Sequence, residues 1–280
     1  MIESAFASVV QMLSFPFMVR AFIVGMMVAL CAALLGVSLV LKRYAMIGDG
    51  LSHVGFATLA IATALDLDPL RVSIPLTILI AFLLLRVNES SKIKGDSAIA
   101  LISTGSLAVG VLIISISTGM TTDVCNYMFG TILAMSKNDV ALSIVLSGVV
   151  LLLYTLFYHR IFLVTFDEAF ARTTGLRVDF YNMLLAGLTA VTVVLGMRLM
   201  GALLITGQLI FPALTAMRLF KSFRSVILCA AAVSIVGFIA GLTISYYAAT
   251  PAGGSVILVQ LFFFFVFWAI GKIKTAQAFG

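Results

Sequence analysis

The sequence has very few charged residues. Of its 280 residues, 10% are Asp, Glu, Lys or Arg, whereas 62% are hydrophobic. A soluble domain has about 25% charged residues, and one core could not cover this much apolar side chain. The scarcity of charge therefore excludes a soluble globular protein. It predicts an integral membrane protein surrounded by the lipid bilayer.

Cysteine, histidine and the common catalytic motifs are also scarce. The three cysteines, Cys31, Cys125 and Cys229, are far apart and form no metal-binding pair, so we interpret them as free residues that pack between helices. The sequence has no Gly-x-x-x-x-Gly-Lys-Ser/Thr loop, no His-Glu-x-x-His pattern and no Gly-x-Ser-x-Gly turn. A P-loop ATP site on this chain is therefore excluded. We expect no catalytic residues and no permanently bound cofactor.

Apolar runs of helix length occupy most of the chain. They are near 20 residues long and lack the period-two alternation of a membrane barrel. We predict an all-α polytopic membrane protein, a bundle of eight or nine transmembrane helices that forms one domain over residues 1–280. Residues 1–16 are predicted to lie at the membrane surface. The predicted spans are 17–41, 45–65, 72–87, 98–117, 139–158, 178–197, 201–217, 225–247 and 253–271.

Positive charge is concentrated in alternate loops. Of the 17 Lys and Arg residues, all but Arg20, Arg71, Lys137 and Arg198 follow the first, third, fifth, seventh or last predicted span. Cytoplasmic loops carry the excess of Lys and Arg, so we predict a cytoplasmic C-terminus and an external N-terminus. The same bias explains the net charge of +6 without a nucleic-acid partner.

Two segments contain helix-interrupting residues. The external connection 118–138 includes a short apolar piece, 127–135, which we interpret as a re-entrant or surface helix; Gly130 within it permits a close backbone approach. In the segment 196–217, Gly201, Gly207 and Pro212 are expected to interrupt a helix, as in many transport sites. Gln208 in that segment either faces a path or bonds across helices, and packing is the favoured interpretation.

The main candidate site is in the sequence Met-Ile-Gly-Asp-Gly-Leu-Ser-His, residues 46–53. Asp49 and His53 are one helical turn apart and therefore share a face. A carboxylate and an imidazole suit a divalent cation such as Zn²⁺ or Mn²⁺, and ionisable groups inside a membrane are usually functional. The alternative is a polar pair, with Ser52 as a third member, that bonds within the bundle. The only other histidine, His159, falls at the cytoplasmic boundary.

The second candidate is the predicted cytoplasmic loop 159–179. Asp167 can cap a short helix, Glu168 lies in its first turn, and Gly175 is placed to end it. Phe166, Phe170 and Leu176 would give the helix an apolar edge. It is either an ordinary linking helix or a docking helix for a cytoplasmic partner, and the sequence pattern leaves both open.

At these residues the chain resembles the permease subunits of the zinc, manganese and iron ABC uptake transporters, the ABC-3 metal permeases. Residues 46–53 are similar to the family's Gly-Asp-x-x-Ser-His segment. Four further stretches resemble its other signatures, in the same order: 94–99, 129–134, 166–175 and 201–213. Two places differ from relatives: an acidic residue before Pro251 is missing, and Gln208 replaces a small or apolar residue.

The resemblance implies a type II ABC importer-like fold and a specific set of partners. The permease would form a homodimer in the bacterial cell membrane, bind two cytoplasmic ATP-binding subunits, and receive Zn²⁺ or Mn²⁺ from an external metal-binding lipoprotein. Asp49 and His53 would coordinate the transported metal. ATP hydrolysis would occur on the partner, so the chain itself is expected not to be an enzyme. The coupling helix would comprise Phe166, Asp167, Glu168, Ala169, Phe170, Ala171, Arg172 and Gly175.

Two other classes of protein are compatible with the residues alone. A self-sufficient secondary carrier would use Asp49 as a proton or sodium relay and would transport metal without an ATPase. An intramembrane hydrolase would show turnover that depends on His53. The ABC interpretation differs from both because it requires a separate ATPase subunit for any transport.

Overall fold

The computed structural model describes residues 14–90, 95–117, 130 and 136–279, and within these it contains helices but no strand. The predicted surface segment 1–16 and apolar piece 127–135 lie almost wholly outside the described residues. The helices, numbered in chain order, are α1 Pro16–Leu41, α2 Ala45–Ala64, α3 Pro69–Ser90, α4 Gly95–Ser117, α5 Lys137–Leu156, α6 Tyr158–Phe166, α7 Glu168–Thr173, α8 Val178–Met200, α9 Ala202–Met217, α10 Phe223–Ala248 and α11 Ala252–Phe279.

Eight of the described helices are long and apolar enough to cross a membrane, and α9 is a shorter apolar helix. This confirms the prediction of an all-α polytopic membrane protein with eight or nine spans. The predicted span 139–158 is slightly displaced, because α5 is Lys137–Leu156 and a separate helix, α6, begins at Tyr158. The apolar sequence continues across this break, so hydrophobicity alone does not reveal it.

The first helix occupies the centre of the bundle. α1 packs against α5, α8, α9 and α10, and residues such as Val24, Val28 and Leu35 are fully buried. α2 packs most extensively against α4 and also contacts α3, α8 and α9. Gly36 lies where α1 meets α9: a Cβ there would be 1.9 Å from the carbonyl oxygen of Leu209. Only a glycine therefore permits this close approach.

The helix-interrupting residues behave differently from one another. Gly201, with φ 86°, separates α8 from α9 as predicted. Gly207 and Pro212 do not interrupt α9, which runs unbroken through both, so that prediction was wrong. Gly207 instead makes room for Ile257 of α11. A proline within a membrane helix is tolerated when neighbouring groups compensate for the lost backbone hydrogen bond. The close approach predicted at Gly130 is confirmed, because a Cβ there would be 2.3 Å from the backbone of Met200.

Gln208 is a packing residue. It is fully buried, and its Nε2 donates to the Oγ of Ser234 on α10 at 2.6 Å. Ser234 in turn donates to the backbone oxygen of Ala29 on α1 at 2.8 Å. Gln260 of α11 donates to Gln208 Oε1 at 3.4 Å. These bonds connect four helices, which confirms the favoured interpretation of Gln208 as a residue that bonds across helices.

Candidate functional site

The helix α2 exposes only two side chains along most of its length. Between residues 47 and 60 every residue is buried except Asp49 and His53, which are partly exposed. The two lie one turn apart on the same face, as the spacing predicts. Met46, on the same side one turn earlier, is 51% exposed. This stretch of α2 is otherwise enclosed by its own chain and leaves only a carboxylate and an imidazole partly exposed.

The Asp49 and His53 side chains are close enough to share a ligand. His53 Nε2 lies 3.9 Å from Asp49 Oδ2, and the side chains are 24% and 41% exposed respectively. Ser52 is not a third member of this pair, because its buried Oγ donates to the backbone oxygen of Asp49 at 2.7 Å. Across the part of the chain that the structure describes, no three His, Cys, Asp or Glu residues are grouped for a metal ion. The chain thus supplies two candidate ligands here.

Three glycines allow α2 to sit deep in the bundle. A Cβ at Gly48 would be 2.8 Å from the Leu209 side chain of α9, and one at Gly50 would be 2.9 Å from Ile99 of α4. At Gly55 the nearest atom belongs to Met197 of α8, at 3.1 Å. These glycines thus admit side chains from three surrounding helices. This packing fixes the orientation of the Asp49–His53 face.

The short helix α7 forms as its local sequence predicts. The Asp167 side chain accepts a hydrogen bond from the backbone N–H of Phe170 at 2.9 Å and caps the helix. Gly175 adopts φ 80°, and the N–H groups of Gly175 and Leu176 bond to the oxygens of Arg172 and Ala171. This is the Schellman arrangement, which favours glycine at that position.

The predicted coupling segment spans two helices rather than one. Phe166 ends α6 and packs against the rings of Phe162 and Phe223, whereas α7 begins at Glu168. Phe166 is 55% exposed and Phe170 is 54% exposed, while Ala171 is buried beneath α7. Arg172 makes an ion pair with Asp179 of α8 at 2.7 Å. The segment thus exposes two large apolar side chains.

A buried lysine connects α7 to the start of α2. Lys42 directly follows α1, and only 5% of its side chain is exposed. Its Nζ donates to Glu168 Oε1 and to Asn182 Oδ1, and Asn182 Nδ2 donates to Glu168 Oε1 at 3.2 Å. The chain then enters α2 after three residues, and Arg43, at φ 62°, lies in the turn between.

The contacts with Lys42 favour the charged form of Glu168. Partial burial raises the pKa of the Glu168 carboxyl group, but the hydrogen bond and charge of Lys42, followed by Asn182 and Arg172, outweigh that effect. The pKa therefore lies below its ordinary value of 4.5. Sequence reasoning missed Lys42 and Asn182 because they are 126 and 14 residues from Glu168. The one available signal was a charged residue at the end of an apolar helix.

The sequence matches the model of the ABC 3 transport family over residues 14–271. The chain belongs to this family. It is 31% identical over 252 residues to the manganese import system permease protein ScaB of Streptococcus gordonii, with 90% of each chain covered. It is also 31% identical to the high-affinity zinc uptake system membrane protein ZnuB of Haemophilus influenzae, and the matched region covers 89% of this chain and 96% of that protein.

A solved structure has the same fold. The chain is similar to PsaBC from Streptococcus pneumoniae in complex with Fab, with a TM-score of 0.86 and 29% identity. The similarity covers 96% of this chain and 99% of that chain. The protein is therefore a multi-pass membrane protein of an ABC transport family. The resemblance inferred from the short motifs is confirmed.

Proposed function

We propose that this chain is the membrane-spanning permease subunit of an ABC importer for divalent transition metal ions, with zinc or manganese as cargo. Residues 1–280 would form a single permease domain in a bacterial cell membrane. The loops rich in Lys and Arg, and with them the C-terminus, would face the cytoplasm. The chain would have no catalytic site of its own, because ATP would be hydrolysed on a partner.

The exposed Asp49–His53 pair is the observation that carries this proposal. Between residues 47 and 60, α2 buries every other side chain and leaves these two partly exposed. Carboxylate oxygen and imidazole nitrogen are ligands that both Zn²⁺ and Mn²⁺ accept. Membership in an ABC transport family, and relatives named as manganese and zinc permeases, support the same cargo. Oxygen and one imidazole do not distinguish the two metals.

A homodimer would complete the site. Two ligands hold a metal ion weakly, which suits a site from which the ion must leave again. If two protomers turn their α2 faces toward a shared path, the path carries two copies of Asp49 and His53. Metal delivered by an external binding protein would pass between the subunits at this level.

ATP-binding subunits would dock on the α6–α7 region. The exposed Phe166 and Phe170 offer an apolar contact, and Gly175 fixes where the docking helix ends. Movement of α7 would pull on Glu168 and, through its hydrogen bond, on Lys42 and the turn that leads into α2. ATP binding and hydrolysis would in this way change access to Asp49 and His53.

The test is metal uptake by proteoliposomes that contain this chain, with its ATP-binding subunits and loaded binding protein added or omitted. We expect uptake of Mn²⁺ or Zn²⁺ only when all components and ATP are present. Uptake by the chain alone, driven by a proton or sodium gradient, would contradict the ABC mechanism and support a secondary carrier. Comparison of the two metals under identical conditions identifies the cargo.

A further inference from the structure

An open apolar groove runs along α8, between α3 and α5. It has a volume of about 480 Å³ and is lined only by apolar residues. The wall formed by α8 includes Phe180, Met183, Gly187 and Val191. They are three or four residues apart and therefore lie on one face of the helix. Its apolar lining suits a hydrocarbon chain rather than a polar ligand.

A basic pocket lies at the start of the same helix. Its volume is about 570 Å³, and its lining includes Arg160 of α6, Arg177 next to α8, and the turn 174–176 that ends α7. Arg177 is the residue directly before α8, three positions before Phe180. Phe180 lines both the groove and the pocket. The two spaces are therefore adjacent, the basic one at the helix end and the apolar one along its length.

The charge in the pocket is positive. No acidic residue is among those that line it. Asp179, the nearest carboxylate in the sequence, makes an ion pair with Arg172 at 2.7 Å instead. Arg160 Nη1 donates to the hydroxyl of Tyr181 at 2.8 Å, which holds the guanidinium group at the pocket wall. Arginine forms strong paired hydrogen bonds with phosphate oxygens.

We propose that the groove and the pocket together bind one anionic phospholipid. Its phosphate group lies between Arg160 and Arg177, and one acyl chain passes Phe180 and lies along the groove toward Gly187. Basic pockets beside transmembrane helices recognise anionic headgroups in this manner. The lipid contacts the turn at Gly175, so it also supports the end of α7. This site is separate from Asp49 and His53 and requires only that α8 span the bilayer.

The first experiment measures retained lipid on the full-length protein by native mass spectrometry, with phosphatidylglycerol and phosphatidylcholine of identical acyl chains. We expect phosphatidylglycerol to be retained preferentially. Arg160→Gln and Arg177→Gln should each weaken its retention about fivefold, while Arg177→Lys, which preserves the charge, should weaken it less. Arg224→Gln, which removes an arginine that lines a different pocket, is the matched control and should change nothing. Thermal unfolding of each variant verifies that it is folded.

The second experiment separates the lipid from a free anion. Gly187 lines the groove, so the ring in Gly187→Phe should fill it. The nearest atom to a Cβ there is 3.4 Å away on Phe82, which is an ordinary contact distance. The variant should therefore reduce retention of phosphatidylglycerol. Inorganic phosphate should not displace the lipid. Equal retention of both lipids, unchanged retention in the arginine variants or in Gly187→Phe, or displacement by phosphate would each contradict the proposal.

Discussion

Glu168 on α7 accepts a hydrogen bond from Lys42, a residue 126 positions earlier in the sequence that lies at the end of α1. Lys42 is almost fully buried, whereas 41% of the Glu168 side chain is exposed. The contact joins the proposed docking helix to the turn that leads into α2. From that turn the chain runs directly into the helix that carries Asp49 and His53.

We predict that Glu168→Gln reduces the amount of metal imported per ATP hydrolysed. Loss of the ionic contact would loosen the connection between α7 and α2. Changes at residues that connect two sites alter the coupling free energy between those sites by about 0.5–2 kcal/mol, which is roughly a two- to thirtyfold effect. The measurement is uptake and ATPase activity in the same proteoliposomes. Asp68→Asn is the control, because it removes an exposed ion pair, with Arg71, that lies outside the α7 contacts and should have little effect. Equal uptake per ATP in Glu168→Gln and wild type would contradict this role.

The stability that Glu168 contributes should depend on pH in one direction. Its pKa is lowered on folding, so the contribution is complete above the ordinary value of 4.5 and is lost as the pH falls through the lower folded value. The difference in thermal stability between wild type and Glu168→Gln should thus be constant from about pH 6 to 8 and should shrink below 4.5. Because the side chain is partly exposed, the effect should be small. A difference that grows on acidification would be inconsistent with the Lys42 contact.

Gly175→Ala should weaken binding of the ATP-binding subunits. A side chain at φ 80° costs about 1–2 kcal/mol, although no other atom lies within 4 Å of the added Cβ. The end of α7 would therefore rearrange without a clash. Gly148→Ala is the control: Gly148 lies within α5, also has open space around it, and should be neutral or slightly stabilising. Normal co-purification and coupling in Gly175→Ala would show that α7 is not the docking helix.

Gly36→Ala should prevent correct packing of α1 against α9. The added Cβ would lie 1.9 Å from the Leu209 backbone oxygen, so the helices must separate, at a cost of about 1–3 kcal/mol or more. We expect a sharp decrease in folded protein by size-exclusion chromatography. Gly105→Ala on α4, with no atom within 4 Å, should behave as wild type. A normal yield and thermal stability for Gly36→Ala would refute the described α1–α9 contact.

Local sequence signals were sufficient for most helices and for α7. The apolar runs identify the spans because a chain in lipid must satisfy its backbone hydrogen bonds internally. Asp167 and Gly175 mark the ends of α7 because capping depends only on adjacent residues. The break at Phe157 was missed because the apolar sequence continues through it. The interruption predicted in α9 was wrong because the prediction considered Pro212 alone and not the groups packed around it.

Long-range contacts could not be predicted from the sequence. The periodicity of α2 places Asp49 and His53 on one face, but it does not show that this face is the open one. That follows from packing against α3, α4, α8 and α9. The Lys42–Glu168–Asn182 contacts join segments far apart in the chain, and no local pattern relates them. The same holds for the groove and pocket on either side of Phe180.

The most direct test of the central claim is metal uptake by Asp49→Asn and His53→Ala in proteoliposomes with ATP-binding subunits and loaded binding protein. Asp66→Asn, in the exposed turn after α2, is the control. If the pair holds the metal in transit, both site variants should lose ATP-dependent uptake, while the control retains it. All variants should still bind the ATP-binding subunits. Full uptake in both site variants would contradict the account and reduce Asp49 and His53 to packing residues.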